Sequence, residues 1–181
     1  MCKKYVFVGS HGCGKSSAVS YLASLLKQND PSKNVGVIHE NVREISRVVG
    51  GKINTPNFQH LCMIDHVHKE LSMAPLYDYL IIDRSALDTL VYGLSYGLKL
   101  NSEYFSLALN HMNTYDKVFF VRPDHYDSNI ANDGFRDTDP IMRAEVDKQF
   151  DKMLRLWGGK FIEVRTREIF TFDYTKSTIG E

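Results

Sequence analysis

The sequence predicts an α/β fold in which helices cover both faces of a parallel sheet. Three observations predict it: five short β-branched or aromatic runs, helical apolar stripes between them, and a first strand that ends in glycine ahead of a helix. Residues 4–9, Lys-Tyr-Val-Phe-Val-Gly, form the first strand. A helix follows over 15–28, with Val19, Leu22, Leu25 and Leu26 at helical spacing and Asn29-Asp30-Pro31 to stop it. Residues 35–39 are the second strand. A short helix over 42–49 ends at Gly50-Gly51, and a longer one over 57–73 carries Leu61, Ile64, Val67 and Leu71 on one stripe, as a packed helix would. Tyr79 to Asp83 is the third strand, with its acid at the C-terminal end. Helices over 86–97 and 102–114 precede the fourth strand at 117–121.

Residues 122–140 hold five aspartates, Pro123, Pro140 and one glycine with little periodicity, and read as a long surface loop. The helical stripe then returns over 141–157 in Met142, Val146, Phe150, Met153 and Trp157, with Arg143, Asp147, Asp151 and Arg155 elsewhere around the helix. Phe161 to Val164 is the fifth strand, and the last fifteen or so residues are weakly patterned. Nothing marks a second domain, so residues 1–181 read as one domain.

Composition narrows the classes. At 43% hydrophobic and 24% charged residues the chain resembles an ordinary globular protein, which excludes disorder and low-complexity arrays. No apolar stretch reaches the roughly 18 residues of a membrane span, and the run after Met1 is too short for a signal peptide, so no membrane association and a cytoplasmic location are expected. Cys2, Cys13 and Cys62 lack CxxC spacing, which argues against a disulfide framework or structural zinc. Twenty-two basic residues balance 22 acidic ones, which excludes nucleic-acid binding by bulk charge. The balance is uneven along the chain. Residues 1–60 hold eight Lys and Arg against three acids, as an anion-binding first half would, although scattered surface charge gives the same count.

The strongest motif is Gly9-Ser10-His11-Gly12-Cys13-Gly14-Lys15-Ser16, a GxxxxGK[ST] pattern between the first strand and the first helix. Glycines there let backbone N–H groups curl around phosphate oxygens at a helix N-terminus; Lys15 would reach the β and γ phosphates of ATP, and Ser16 would hold Mg²⁺. Asp83-Arg84-Ser85 follows the third strand. Asp83 can bind Mg²⁺ or take a proton from an acceptor hydroxyl, and Arg84 can neutralise phosphate; a helix N-cap by Asp83 or Ser85 and a surface ion pair at Arg84 are the plainer readings. Glu40 closes the second strand and could act as a general base, while Arg43 and Arg47 share a helix face that could grip an anionic substrate. Arg136, alone among aspartates in the long loop, would suit a lid that swings onto the transferred phosphoryl group. Phe58, Tyr92 and Tyr96 are candidates to stack on a base or sugar.

In this order, GSHGCGKSS, HENVREISR, IIDRSALD and NDGFRDTDPIMRAEVD resemble the P-loop kinase group that includes the ribosylnicotinamide kinase domain of bacterial NadR proteins and its phage relatives. The resemblance spans residues 4 to about 165. It implies a five-stranded parallel sheet in order 2-3-1-4-5, ATP phosphates on Gly9 to Ser17, and an acceptor near Glu40 and Asp83. IIDRSALD is also similar to the acid-Arg-Ser motif of deoxyribonucleoside kinases, by which Glu40 is the better base and Asp83 the better Mg²⁺ ligand. The implied activity is transfer of the γ-phosphoryl of ATP to a hydroxyl of a nucleoside, nucleotide or modified nucleobase, in the cytoplasm of a bacterial cell or phage-infected host. Two alternatives stand beside it. One is a kinase acting on 5-hydroxymethyluracil within DNA, as a phage branch of the group does; the other is a nucleotide-dependent ATPase or switch.

Overall fold

The computed structural model describes residues 1–125 and 139–174. The lid arginine Arg136 and most of the proposed lid lie outside the described residues. Five strands, β1 (Lys3–Val8), β2 (Val35–Ile38), β3 (Tyr79–Asp83), β4 (Lys117–Arg122) and β5 (Ile162–Arg165), form one parallel sheet in the order β2-β3-β1-β4-β5. β1 therefore lies in the middle. Phe7 is in register with Asp83 of β3 and Val8 with Phe120 of β4. The chain leaves β1 in one direction and returns on its other side, so a crevice opens at the strand C-termini, where α/β sheets bind ligands.

The helices are α1 (Lys15–Asn29), α2 (Val42–Val48), α3 (Pro56–Met73), α4 (Ala86–Ser95), α5 (Ser102–Met112) and α6 (Pro140–Trp157). One apolar core joins Tyr5, Phe7 and Phe119 of the sheet to Ala18, Val19 and Leu22 of α1. The other joins Val6, Val8, Leu80 and Phe120 to α3, α4, α5 and α6. Alternation along the strands sends their side chains to both cores, which is why the strands read as continuous apolar runs. No described helix is long and apolar enough to cross a membrane.

Three details depart from the sequence expectation. In α3 most of the anticipated stripe points outward: Leu61, Ile64 and Leu71 are exposed and Val67 is half-buried against the core, while Cys62, Met63, His66 and Glu70 are buried. Its inner face mixes Phe58, Cys62 and Met63 with Gln59, His66 and Glu70, because it borders a cavity and an ion cluster as well as the core. Glu70 accepts hydrogen bonds from Lys4 Nζ at 2.9 Å and Tyr115 Oη at 2.6 Å, with His66 and His111 Nε2 at 3.0 and 3.2 Å. In α6, Arg143 and Asp147 are buried along with the apolar stripe. The weakly patterned tail adds to the α1 core, where Ile169 and Tyr174 are 2% and 0% exposed.

Candidate functional site

The turn from β1 into α1 has the geometry of a phosphate cradle. Gly9, Gly12 and Gly14 all adopt positive φ. At Gly9 a Cβ would stand 2.3 Å from the Val121 carbonyl oxygen, so only glycine lets the loop pass this close to β4. Lys15, 5% exposed, folds back over the loop and donates to the Gly9 and Ser10 carbonyls at 2.9 and 2.8 Å. Its ammonium is thus held at the centre of the turn. Thr166 Oγ1 braces the loop from the other side by donating to the Cys13 carbonyl at 2.9 Å.

Asp83 ends β3 beside this loop. It is 1% exposed, and its Oδ2 accepts a 2.5 Å hydrogen bond from Ser16 Oγ, while Oδ1 has no hydrogen-bond partner among the described residues. A hydroxyl and a carboxylate with an unused oxygen are hard oxygen donors of the kind Mg²⁺ takes alongside phosphates and water. Both residues fit the metal that the motif implies.

Arg84 is the one described non-glycine residue at positive φ, 77°, a conformation that costs about 1 kcal/mol or more outside glycine. Its N–H donates to the Phe7 carbonyl at 3.0 Å, which pins the kink to β1. The kink sends consecutive side chains to different duties: Asp83 to the phosphate loop and Arg84 to Glu40, with which it forms an ion pair, over the Tyr92 ring at 5.0 Å. Burial works against the Arg84 charge, but Glu40 outweighs it and holds the guanidinium well above its ordinary pKa.

Beyond Arg84 lies a cleft open to solvent. Its walls come from the segment after β2, from α2, α3 and α4, and from His11 of the phosphate loop. Val42, Ile45, Ile53, Phe58, Tyr92 and Tyr96 make it partly apolar, and His11 Nδ1 lies 3.1 Å from Tyr92 Oη, so the loop and the cleft share a wall.

The sequence-derived candidates sort clearly. Gly9 to Ser16, Asp83, Arg84 and Glu40 converge where loop and cleft meet, and Phe58, Tyr92 and Tyr96 all line the cleft. Arg43 and Arg47 do not line it: they are on the exposed side of α2, whose Val42 and Ile45 face inward. Sequence reading missed Gln59, Cys62, Asp65, His66, Asp88 and Thr89, all in the cleft wall. For Asp88 a signal existed, because Ser85-x-x-Asp88 is a capping-box pattern, and the box forms. Burial drives the Asp88 carboxyl up to about 6 and the Cys62 thiol up to about 12.

Residues 4–169 match the family model described as AAA domain. The crystal structure of a thymidylate kinase from Ehrlichia chaffeensis superposes with a TM-score of 0.60 at 17% identity, over 91% of this chain and 87% of that one. No curated protein matches the chain.

Proposed function

We propose that this chain, which belongs to the AAA domain family of P-loop nucleotide-binding proteins, is an ATP-dependent phosphotransferase acting on a hydroxyl of a nucleoside, nucleotide or modified nucleobase. The observation that carries the reading is the pair Asp83-Arg84. One carboxylate is tied to Ser16 of the phosphate loop, and the next side chain is tied to Glu40 in the wall of a separate cleft. A nucleotide-dependent switch needs the first half of that arrangement only. The thymidylate kinase with the same fold supports an acceptor of the nucleoside or nucleotide class, and the four motifs quoted above support the finer reading as a member of the ribosylnicotinamide kinase group.

In this reading Lys15, Arg84 and Arg136 neutralise charge around the transferred group, and Gly9 to Ser17 hold the ATP phosphates. Mg²⁺, when bound by Ser16 and Asp83, would supply charge neutralisation between the phosphates. Glu40 faces the cleft and is our candidate to accept the proton of the acceptor hydroxyl, with Asp83 engaged by Ser16. The test is steady-state kinetics of Lys15→Ala and Glu40→Gln with an acceptor that supports turnover. Glu40→Gln should lower kcat by about 10²- to 10⁴-fold with the KM for ATP little changed, and Lys15→Ala should lower kcat and weaken ATP. A Glu40→Gln enzyme within threefold of wild type would remove Glu40 from the chemistry.

A further inference from the structure

Tyr92 reads in sequence as a ring that could stack on a base or sugar, and the fold leaves it little surface for that. It lies within α4 and is 8% exposed. The Arg84 guanidinium sits over its ring at 5.0 Å, Phe150 of α6 meets it in a T-shaped contact at 6.4 Å, and Tyr96 packs against it at 6.2 Å. Its Oη is 3.1 Å from His11 Nδ1. Burial raises the phenol above its ordinary pKa, against the pull of the Arg84 and Lys15 charges, so Oη stays a hydroxyl at neutral pH.

These contacts join two parts of the site that leave different strands. His11 belongs to the turn after β1 that carries Lys15, and it is the one phosphate-loop residue in the described lining of the cleft. Arg84 belongs to the junction after β3, where it holds Glu40. Tyr92 touches a side chain from each. A guanidinium within about 6 Å of an aromatic face is held there by the ring quadrupole, so the Tyr92 ring is a seat for a long, otherwise flexible side chain. Glu40 engages Arg84 through Nε, one of five guanidinium N–H donors, so neither seat nor ion pair uses up the donors that a phosphoryl oxygen would need.

We propose that Tyr92 is a positioning residue for phosphoryl transfer: its hydroxyl keys α4 to His11 of the phosphate loop and its ring seats Arg84, so that Arg84 and Glu40 stand at a fixed distance from the phosphates. This rests on the phosphotransferase reading, in which Arg84 and Glu40 meet the reacting groups. Tyr92 acts through Arg84 and His11 and touches neither substrate. Hydroxyl and ring are separable: Tyr92→Phe removes the key and keeps the seat, whereas Tyr92→Leu removes both.

The experiment is phosphoryl transfer by the full chain from γ-labelled ATP with Mg²⁺ to adenosine, guanosine, cytidine, uridine, thymidine, nicotinamide riboside and the matching 5′-monophosphates, followed by kinetics on each acceptor that wild type phosphorylates. Tyr92→Phe should lower kcat by about 3- to 20-fold, and Tyr92→Leu by a further 3- to 30-fold or so, with the KM for ATP within threefold of wild type. His11→Ala combined with Tyr92→Phe should lose no more than the larger single loss, within twofold, as partners in one contact do. A Tyr92→Phe kcat within twofold of wild type, equal losses in the Phe and Leu variants, or fully additive losses in the double variant would each overturn the inference. So would a fall in kcat accompanied by a weakened KM for ATP and a lowered Tm in Tyr92→Phe, the mark of a purely structural hydroxyl. A second measurement needs no acceptor. With isotope-labelled arginine, solvent exchange of the Arg84 Nε–H followed by NMR should quicken by about fivefold or more in Tyr92→Leu and stay within twofold of wild type in Tyr92→Phe. Unchanged exchange in Tyr92→Leu would overturn the seat. If wild type phosphorylates no acceptor while Arg84 exchange responds as stated, the kinase reading falls and the seating of Arg84 by Tyr92 stands; if transfer occurs and kcat is indifferent to Tyr92→Phe, this inference falls alone.

Discussion

Two carboxylates buried to the same degree behave oppositely, and the difference lies in their donors. Glu70 is 0% exposed, and burial opposes its ionisation, yet the His111 and His66 rings beside it hold the carboxyl well below the usual range, with Lys4 and Tyr115 as further donors. Asp88 is 1% exposed and, among the described residues, has only the two Ser85 donors, so burial outweighs these and the Arg84 and Lys15 charges and pushes its carboxyl up to about 6. The signs follow by linkage. A depressed carboxyl stabilises the fold above its unfolded pKa, roughly 4.3, and that contribution fades as pH falls below it. A raised carboxyl contributes below its unfolded pKa and loses the contribution as pH climbs through about 6. Urea unfolding at pH 8 should therefore find Glu70→Gln less stable than wild type by about 3 kcal/mol. Asp88→Asn, which keeps a capping oxygen and removes a buried charge, should be more stable by up to about 3 kcal/mol. A destabilised Asp88→Asn at pH 8 would mean that the carboxylate serves the fold. The sequence makes the cap legible through Ser85-x-x-Asp88, but not the burial of its carboxylate, because that depends on α3, α5 and α6 packing against α4.

At the level of elements, the two junctions that build the site differ in how far they can be read from sequence. The β1 to α1 turn is encoded locally, in three glycines at positive φ followed by Lys15 and Ser16, and its pattern survives without knowledge of the rest of the chain. The β3 to α4 junction is not. Its positive φ falls on Arg84, not on a glycine, and is held by the Phe7 carbonyl, the Glu40 ion pair and the capping box together. Helix α3 shows the same limit more sharply. Periodicity finds an apolar stripe but cannot tell which side the fold covers, and here a cavity and the Glu70 cluster claim the polar side. Denaturant unfolding gives a direct check. Met63→Ala, from a side chain 2% exposed, should cost about 2–5 kcal/mol, whereas Ile64→Ala, from one 63% exposed, should cost under about 1 kcal/mol. The reverse ranking would restore the sequence-derived face.

For the molecule as a whole, strand order does the assembling. With β1 between β3 and β4, and β2 outside β3, the ends of β1, β2 and β3 bring the phosphate loop, Glu40 and Asp83-Arg84 to one edge of the sheet. Those residues are legible as separate signals because each sits at the end of an apolar run; Arg43 and Arg47 are suggested by their i,i+4 spacing on one helix face, and the turn of α2 leaves them on its exposed side. The neutral total charge likewise resolves into local arrangements, a lysine held in the loop and a cleft rich in carboxylates. The central claim is that these two halves act on one another, so that ATP is consumed in step with an acceptor. It is tested most directly by incubating the full chain with γ-labelled ATP, Mg²⁺ and a panel of nucleosides, nucleotides, nicotinamide riboside and 5-hydroxymethyluracil DNA, and measuring ADP and labelled product together. The prediction is one labelled product for each ADP formed, dependent on an acceptor and lost in Lys15→Ala; ADP formed at the same rate with every acceptor omitted, and no labelled product, would contradict it.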